Sequence, residues 1–288
     1  MKKYGLSLLA VFFSLQGFSG EFNIESYSQV RDPNKSYKAY YVHPYGYTIS
    51  DEHEQYSAYD IADSYSRTDL SRVTRWDSFA DLFKMFRFIR DKKFLNDEDH
   101  KMMRRSTWLY PDDGCFARAA LMKQNISKEG IAPPTKVFIF GDLDVATKNS
   151  PWGEVHWWYH VAPVVHVEGF YFVLDPALEP NRPLFLDEWI AKMIPSEVRR
   201  QTPDDPLGSV KISICDPASY IPYSICSNPP KSSDSDALED QYRYLDREWN
   251  RLEELKRNPN VELGDVPPWA EKQKLQREQK TQTQDYYL

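Results

Sequence analysis

Apolar residues recur at spacings of three and four at Trp76, Phe79, Leu82, Phe83, Phe86 and Ile89, directly behind Asp77 and Ser78. That is the period of one helix face with a polar cap in front of it, so the spacing predicts an amphipathic helix that opens the folded domain. A polar connection from Asn96 to Ser106 leads through Thr107–Tyr110 into a run, Phe116 to Lys128, with neither proline nor glycine and many helix formers. This predicts a second helix. After Gly130, Pro133 and Pro134 the pattern becomes that of strands: KVFIF from Lys136, WWYHVAPVVHV from Trp157 and FYFVL from Phe170. Glu168 and Gly169 join the last two, and a two-residue connection containing glycine predicts a hairpin. Phe185–Met193 reads as helical and Val210–Cys215 as extended.

Toward the C-terminus, Asn228 to Ser235 (NPPKSSDS) has the composition of a linker. Leu238, Tyr242, Leu245, Trp249 and Leu252 then form a narrow stripe ended by Asn258 and Pro259, which predicts a helix over 236–257 docking either on the domain or on a partner. From Val261 the charged, glutamine-rich chain reads as a mobile tail. Gly20 to Arg72 is polar and tyrosine-rich without a sustained period. It reads as a short propeptide or as an extended arm laid on the domain. The expected divisions are therefore 1–19, 20–72, 73–228 and 229–288, the first being a signal peptide. Lys2 and Lys3, the apolar run Leu6–Leu15 and the small residues Gly17 and Ser19 have its three-part form, and the run is too short for a comfortable membrane span. The expectation is export to the periplasm or the medium.

Composition narrows the function. The formal charge of −7, or −9 without Lys2 and Lys3, gives no basic surface for nucleic acid. Aromatic residues make up 15% of the chain, which argues for a packed core or an aromatic-walled groove. Of three cysteines, Cys215 and Cys226 are close in sequence and, in an oxidising compartment, are suited to a disulfide that leaves Cys115 as a free thiol.

Cys115 follows Asp112, Asp113 and Gly114, so the predicted second helix should begin at the cysteine, with the aspartates and glycine able to cap it. The positive end of a helix favours a thiolate over a thiol, and the Cys115 N–H is placed to donate to an oxyanion on a carbonyl that the sulfur attacks. A lone cysteine also serves as a small buried packing residue. The hairpin adds geometry. If Val167 pairs with Phe170, Asp175 falls opposite Ala162, and His160 and Asp175 become diagonal neighbours on one face, about 7 Å apart at Cα. A nucleophile, a base and an orienting carboxylate are then available in Cys115, His160 and Asp175. Trp152, Trp157, Trp158 and Tyr110 are the candidate aromatic walls of a substrate groove. His156 and His160 have the spacing of a helical zinc pair, but their surroundings are strand-like and four residues along a strand cover roughly 13 Å. No metal or other cofactor is expected.

At these residues the chain resembles the protein glutaminases, secreted bacterial enzymes that deamidate glutamine side chains in intact proteins. The pattern around the family nucleophile is met by Tyr110, Pro111, Asp113, Gly114, Cys115, Phe116, Ala117, Arg118 and Ala119, followed by Met122, Lys123 and Gln124. The histidine motif is met by Tyr159, His160, Val161 and Ala162, and the acid motif by Leu174, Asp175, Pro176 and Leu178. The resemblance covers about Val73 to Ser227. It implies an α+β, papain-like domain similar to the transglutaminase core, with Cys115 as nucleophile, His160 as acid and base, Asp175 holding the imidazole, and proteins or peptides with exposed glutamine as substrates. A transglutaminase or cysteine peptidase of the same fold, or a binding module without activity, are the alternatives. Family members carry a long inhibitory propeptide and several disulfides, whereas here about fifty residues separate the predicted signal from the domain and one disulfide is expected.

Overall fold

The computed structural model describes residues 57–270 apart from 202–203, 206, 222–225 and 227–233. The expected signal peptide, most of the N-terminal segment, most of the expected linker and everything beyond 270 lie outside the described residues. The centre is a five-stranded antiparallel sheet in the order β6-β5-β4-β3-β7, made of β3 (Thr135–Ala146), β4 (Glu154–Val167), β5 (Phe170–Val173), β6 (Leu184–Phe185) and β7 (Lys211–Cys215). Both faces are covered, which is why Val137 to Phe140 is an unbroken apolar run. Phe138 and Phe140 enter the core shared with α2 (Cys115–Lys128), while Val137 and Ile139 enter the opposite core with α3 (Leu186–Met193). The first helix, α1 (Phe79–Asp91), is capped by the Ser78 hydroxyl accepting from the Asp81 N–H, as its sequence predicts. A helix beginning at the cysteine and packed on an antiparallel sheet is the α+β arrangement that the sequence implies.

The β4–β5 register follows the expected hairpin, with Val167 paired to Phe170 and Val164 to Val173. Glu168 and Gly169 both have positive φ, the geometry a tight two-residue hairpin needs. Two features differ from expectation, and a third, the course of 57–72, matches one of its alternatives, an arm laid on the domain. The polar connection contains a small hairpin, β1 (Leu95–Asp97) with β2 (Met102–Arg104), too short to show a period. Residues 57–72 lie against β7, where Asp63 exchanges two backbone hydrogen bonds with Ile212. The expected tail does not start at Val261: α5 (Pro259–Glu262) leads to Trp269, which is buried and donates to Asp91 at 2.9 Å.

The stripe helix is α4 (Asp234–Glu254), and it packs on α2. Its buried face is Ala237, Gln241, Tyr244, Leu245, Glu248 and Leu252, rotated from the predicted stripe, so that Tyr242 is exposed. The reason is chemical. The face lies on an irregular stretch whose backbone N–H groups and the buried Arg104 need acceptors, which apolar side chains lack. Glu248 supplies them, accepting from Arg104 at 2.7 Å and from the Leu109 N–H at 2.7 Å, while Asp97 takes the other end of Arg104 at 2.5 Å. Glu248→Ala removes one of the two carboxylates paired with a buried guanidinium and leaves a buried N–H without its acceptor, and should lower the unfolding free energy by about 3 kcal/mol. Urea titration followed by tryptophan fluorescence measures this; a loss below about 1 kcal/mol would contradict the ion-pair role.

Candidate active site

Gly114 precedes α2 with φ of 84°, and a Cβ there would stand 2.9 Å from the Tyr244 ring, so glycine is required twice over. The expected aspartate caps are not formed. Asp113 instead accepts from the N–H of Gly114 at 2.7 Å, Asp112 pairs with Arg251 at 2.6 Å, and no side chain caps the helix from its N-cap position. The helix is thus entered by a glycine turn, which leaves its first N–H groups without a side-chain cap. Arg118, one turn in and almost fully buried, donates through Nη1 to the carbonyls of Thr107, Tyr110 and Asp113 and gathers the approach to Cys115.

His160 comes from the middle of β4 and Asp175 from the turn that ends the β5 arm. Their diagonal relation closes to a hydrogen bond of 2.8 Å between Nε2 and Oδ2. A carboxylate only accepts, so Nε2 carries a proton toward Asp175, and the imidazole also interacts with the Cys115 side chain. The indole of Trp189 donates to the same Oδ2 at 2.9 Å, and Trp157 stacks on the imidazole at 4.6 Å while its own Nε1 donates to Pro111. The ring is therefore held at its edge and on one face.

Electrostatics match this geometry. Burial by itself would lower the His160 pKa, but the Asp175 charge and hydrogen bond, followed by Cys115, outweigh it and push it up to about 9. Burial likewise works to raise Asp175, yet His160 and the Trp189 hydrogen bond hold it below the usual carboxylate range. Burial raises Asp112 and Asp113.

Cys115 and His160 share a narrow cavity of about 20 Å³ with Pro111, Asp112, Asp113, Arg118, Trp157, Trp158 and Tyr159. Trp157 and Trp158 thus stand where a groove wall was expected. Trp152 is 69% exposed on the β3–β4 loop and does not line this cavity. Tyr110 is 1% exposed, stacked on Tyr244, and faces the core instead of a ligand, because α4 covers it. No residue of 57–72 lines the cavity either. Cys215 and Cys226 form a disulfide, with Cα atoms 4.4 Å apart, and Cys115 is free. His156 is separate from this centre: its ring lies between Asp144 and Glu154, at 3.4 and 3.2 Å, with a different nitrogen turned to each.

In comparison with known families, residues 82–193 match a model described as glutaminase. This stretch is similar to the glutaminase family. It contains Cys115, His160, Asp175 and Trp189, and ends at the last residue of α3. No curated protein matches the chain. Among solved structures, a crystal structure of protein-glutaminase is similar at 23% identity, covering 59% of this chain and 85% of that one, with a TM-score of 0.43. A pro-protein-glutaminase crystal structure is similar at 20% identity, covering 72% and 65%, with a TM-score of 0.47. The NMR structure of protein-glutaminase from Chryseobacterium proteolyticum is similar at 22% identity, covering 67% and 93%, with a TM-score of 0.43.

Sequence reasoning did not single out Trp189, which reads as one apolar position of an amphipathic helix, nor Gln241, Glu248 and Arg251, which read as its counterpart's solvent face. Arg118 had a signal, a charge inside an otherwise small and apolar helix start in the glutaminase stretch.

Proposed function

We propose that this domain hydrolyses the side-chain carboxamide of glutamine in proteins or peptides to glutamate and ammonia. The observation that carries the reading is the Cys115–His160–Asp175 line at a narrow cavity, inside the stretch that matches the glutaminase family. Cys115 Sγ attacks Cδ of the glutamine, and the tetrahedral oxyanion is met by the Cys115 N–H at the uncapped helix start. His160 passes its proton to the departing nitrogen, which leaves as ammonia, and a thioester remains. The now neutral imidazole takes a proton from water as the hydroxyl adds to the thioester carbonyl. Sγ then leaves and glutamate is released. Asp175 and Trp189 hold the ring throughout.

The N-terminal charge and apolar pattern support export, and among the described residues no helix is long and apolar enough to cross a membrane. The buried face of α4 is spent on the domain itself, so a partner docking through 236–257 would meet its outer face, where Tyr242 is exposed. The decisive experiment is intact-mass and peptide-level mass spectrometry of a glutamine-rich protein incubated with the enzyme. A gain of about one mass unit per modified glutamine, with ammonia release, is the expected result. Cross-linked species indicate a transglutaminase, fragments a peptidase, and an unchanged substrate a binding module; each would overturn the assignment.

A further inference from the structure

The approach to the nucleophile, residues 105–114, has no strand ladder to fix it. Its position rests on side chains, and most of these come from one face of α4, beyond the stretch that matches the glutaminase family. Gln241 accepts from the Thr107 N–H at 3.2 Å and Glu248 from the Leu109 N–H at 2.7 Å. Tyr244 lies under Gly114 and stacks on Tyr110. Arg251 completes the series. Its Nη2 bonds Asp112 at 2.6 Å, its guanidinium stands over the Tyr110 ring, and Nη1 reaches the Asn149 carbonyl on the β3–β4 loop at 3.3 Å. Spacings of three, four and three along α4 put Gln241, Tyr244, Glu248 and Arg251 on one side, so a single rigid element grips four points of a loop that ends at Cys115.

We propose that α4 is a positioning element of the active site, acting through the Arg251–Asp112 pair on the turn that presents Cys115. The pair is the link with most leverage because Asp112 lines the same cavity as Cys115 and His160. Both partners are largely buried, with side-chain exposures of 12% and 17%. Removing Arg251 leaves a carboxylate with little solvent beside a sulfur that must carry negative charge, and frees the loop at its cavity end. Glu254 and Arg247 on α4, Asp113 and Tyr110 on the loop and Arg118 on α2 are the other charged or titratable groups near the pair. The role uses the assignment of Cys115 as the nucleophile.

Alkylation of Cys115 by iodoacetamide tests it without any substrate, since the other two cysteines are joined to each other. Arg251→Ala should slow alkylation about tenfold and lower kcat for ammonia release by a similar factor with KM within about twofold, because misplacing a nucleophile acts on the reaction more than on binding. Arg251→Lys should recover most of both. Asp112→Ala should fall like Arg251→Ala, and the double variant no further, because the two act as one unit. If Arg251→Ala folds too poorly to assay, Asp112→Ala carries the same test. Alkylation within twofold of wild type in either folded variant would overturn the proposal, as would losses that follow only the thermal midpoint and are not recovered by lysine. Failure of glutamine turnover with alkylation slowed as stated would count against the deamidation reading alone.

Discussion

Cys115→Ala and His160→Ala each bring ammonia release from a glutamine-bearing protein down by about four orders of magnitude or more, with the fold retained. The size follows from shared work. Without the sulfur no thioester forms, and without the imidazole the departing nitrogen has no proton donor and water no base. The two losses should not add, so the double variant is expected to sit where each single one does. Stability should move much less. Cys115 is a small side chain at the cavity wall, 8% exposed, and its replacement by alanine removes one sulfur atom from the core edge. His160→Ala is the less clean variant because it leaves the Asp175 carboxylate buried with only the Trp189 indole as partner. His160→Gln, which can still donate to Asp175, is therefore the control for its fold. Ammonia release within tenfold of wild type by Cys115→Ala in a folded, reductant-treated sample would remove the nucleophile from the mechanism.

The placing of His160 beside Asp175 was legible because it is written in short-range rules. A two-residue turn sets hairpin register, register sets which side chains share a face, and His160 and Asp175 follow from that parity. Cys115 was legible from the end of a helix-free stretch. What could not be read is everything held by α4. Its stripe of Leu238, Tyr242, Leu245, Trp249 and Leu252 has the right period, yet the helix buries Gln241 and Glu248 and exposes Tyr242. Periodicity scores apolar area, whereas this interface is decided by the backbone N–H groups of Thr107 and Leu109 and by the charge of Arg104, far off in sequence. Tyr110 was misjudged for the same reason. Its motif position is beside the nucleophile, but the helix that covers it is supplied more than a hundred residues later. Trp189 shows the converse: an apolar helix position whose single polar atom reaches the Asp175 carboxylate.

Asp175→Asn should reduce turnover by about a hundredfold to ten-thousandfold while leaving measurable activity, and should change its pH dependence in a direction fixed by the wild-type electrostatics. In wild type the imidazole is buried, which by itself favours its neutral form, and the Asp175 charge is the main reason that its pKa stands near 9. Acylation needs the imidazolium as proton donor, so wild-type turnover should decline as pH rises through about 9. An asparagine keeps the shape and can still accept from Nε2, but it removes the charge. Burial then prevails, the imidazole loses its proton at lower pH, and the alkaline limb of the kcat profile should move down by more than one unit. Stability carries the same sign. A histidine raised above its unfolded value near 6.5 contributes stability that is complete below that value and is lost as pH climbs through about 9. The depressed Asp175 contributes above its unfolded value near 3.8 and loses that contribution on acidification through its lower folded value. The difference in unfolding free energy between wild type and Asp175→Asn should therefore be largest between about pH 4 and 6.5 and shrink toward both ends. Urea titrations at pH 5, 7 and 9.5, with kcat profiles over the same span, measure both effects. An alkaline limb that stays in place in Asp175→Asn would mean that some other group than His160 titrates there, and the acid role given to the imidazole would fail.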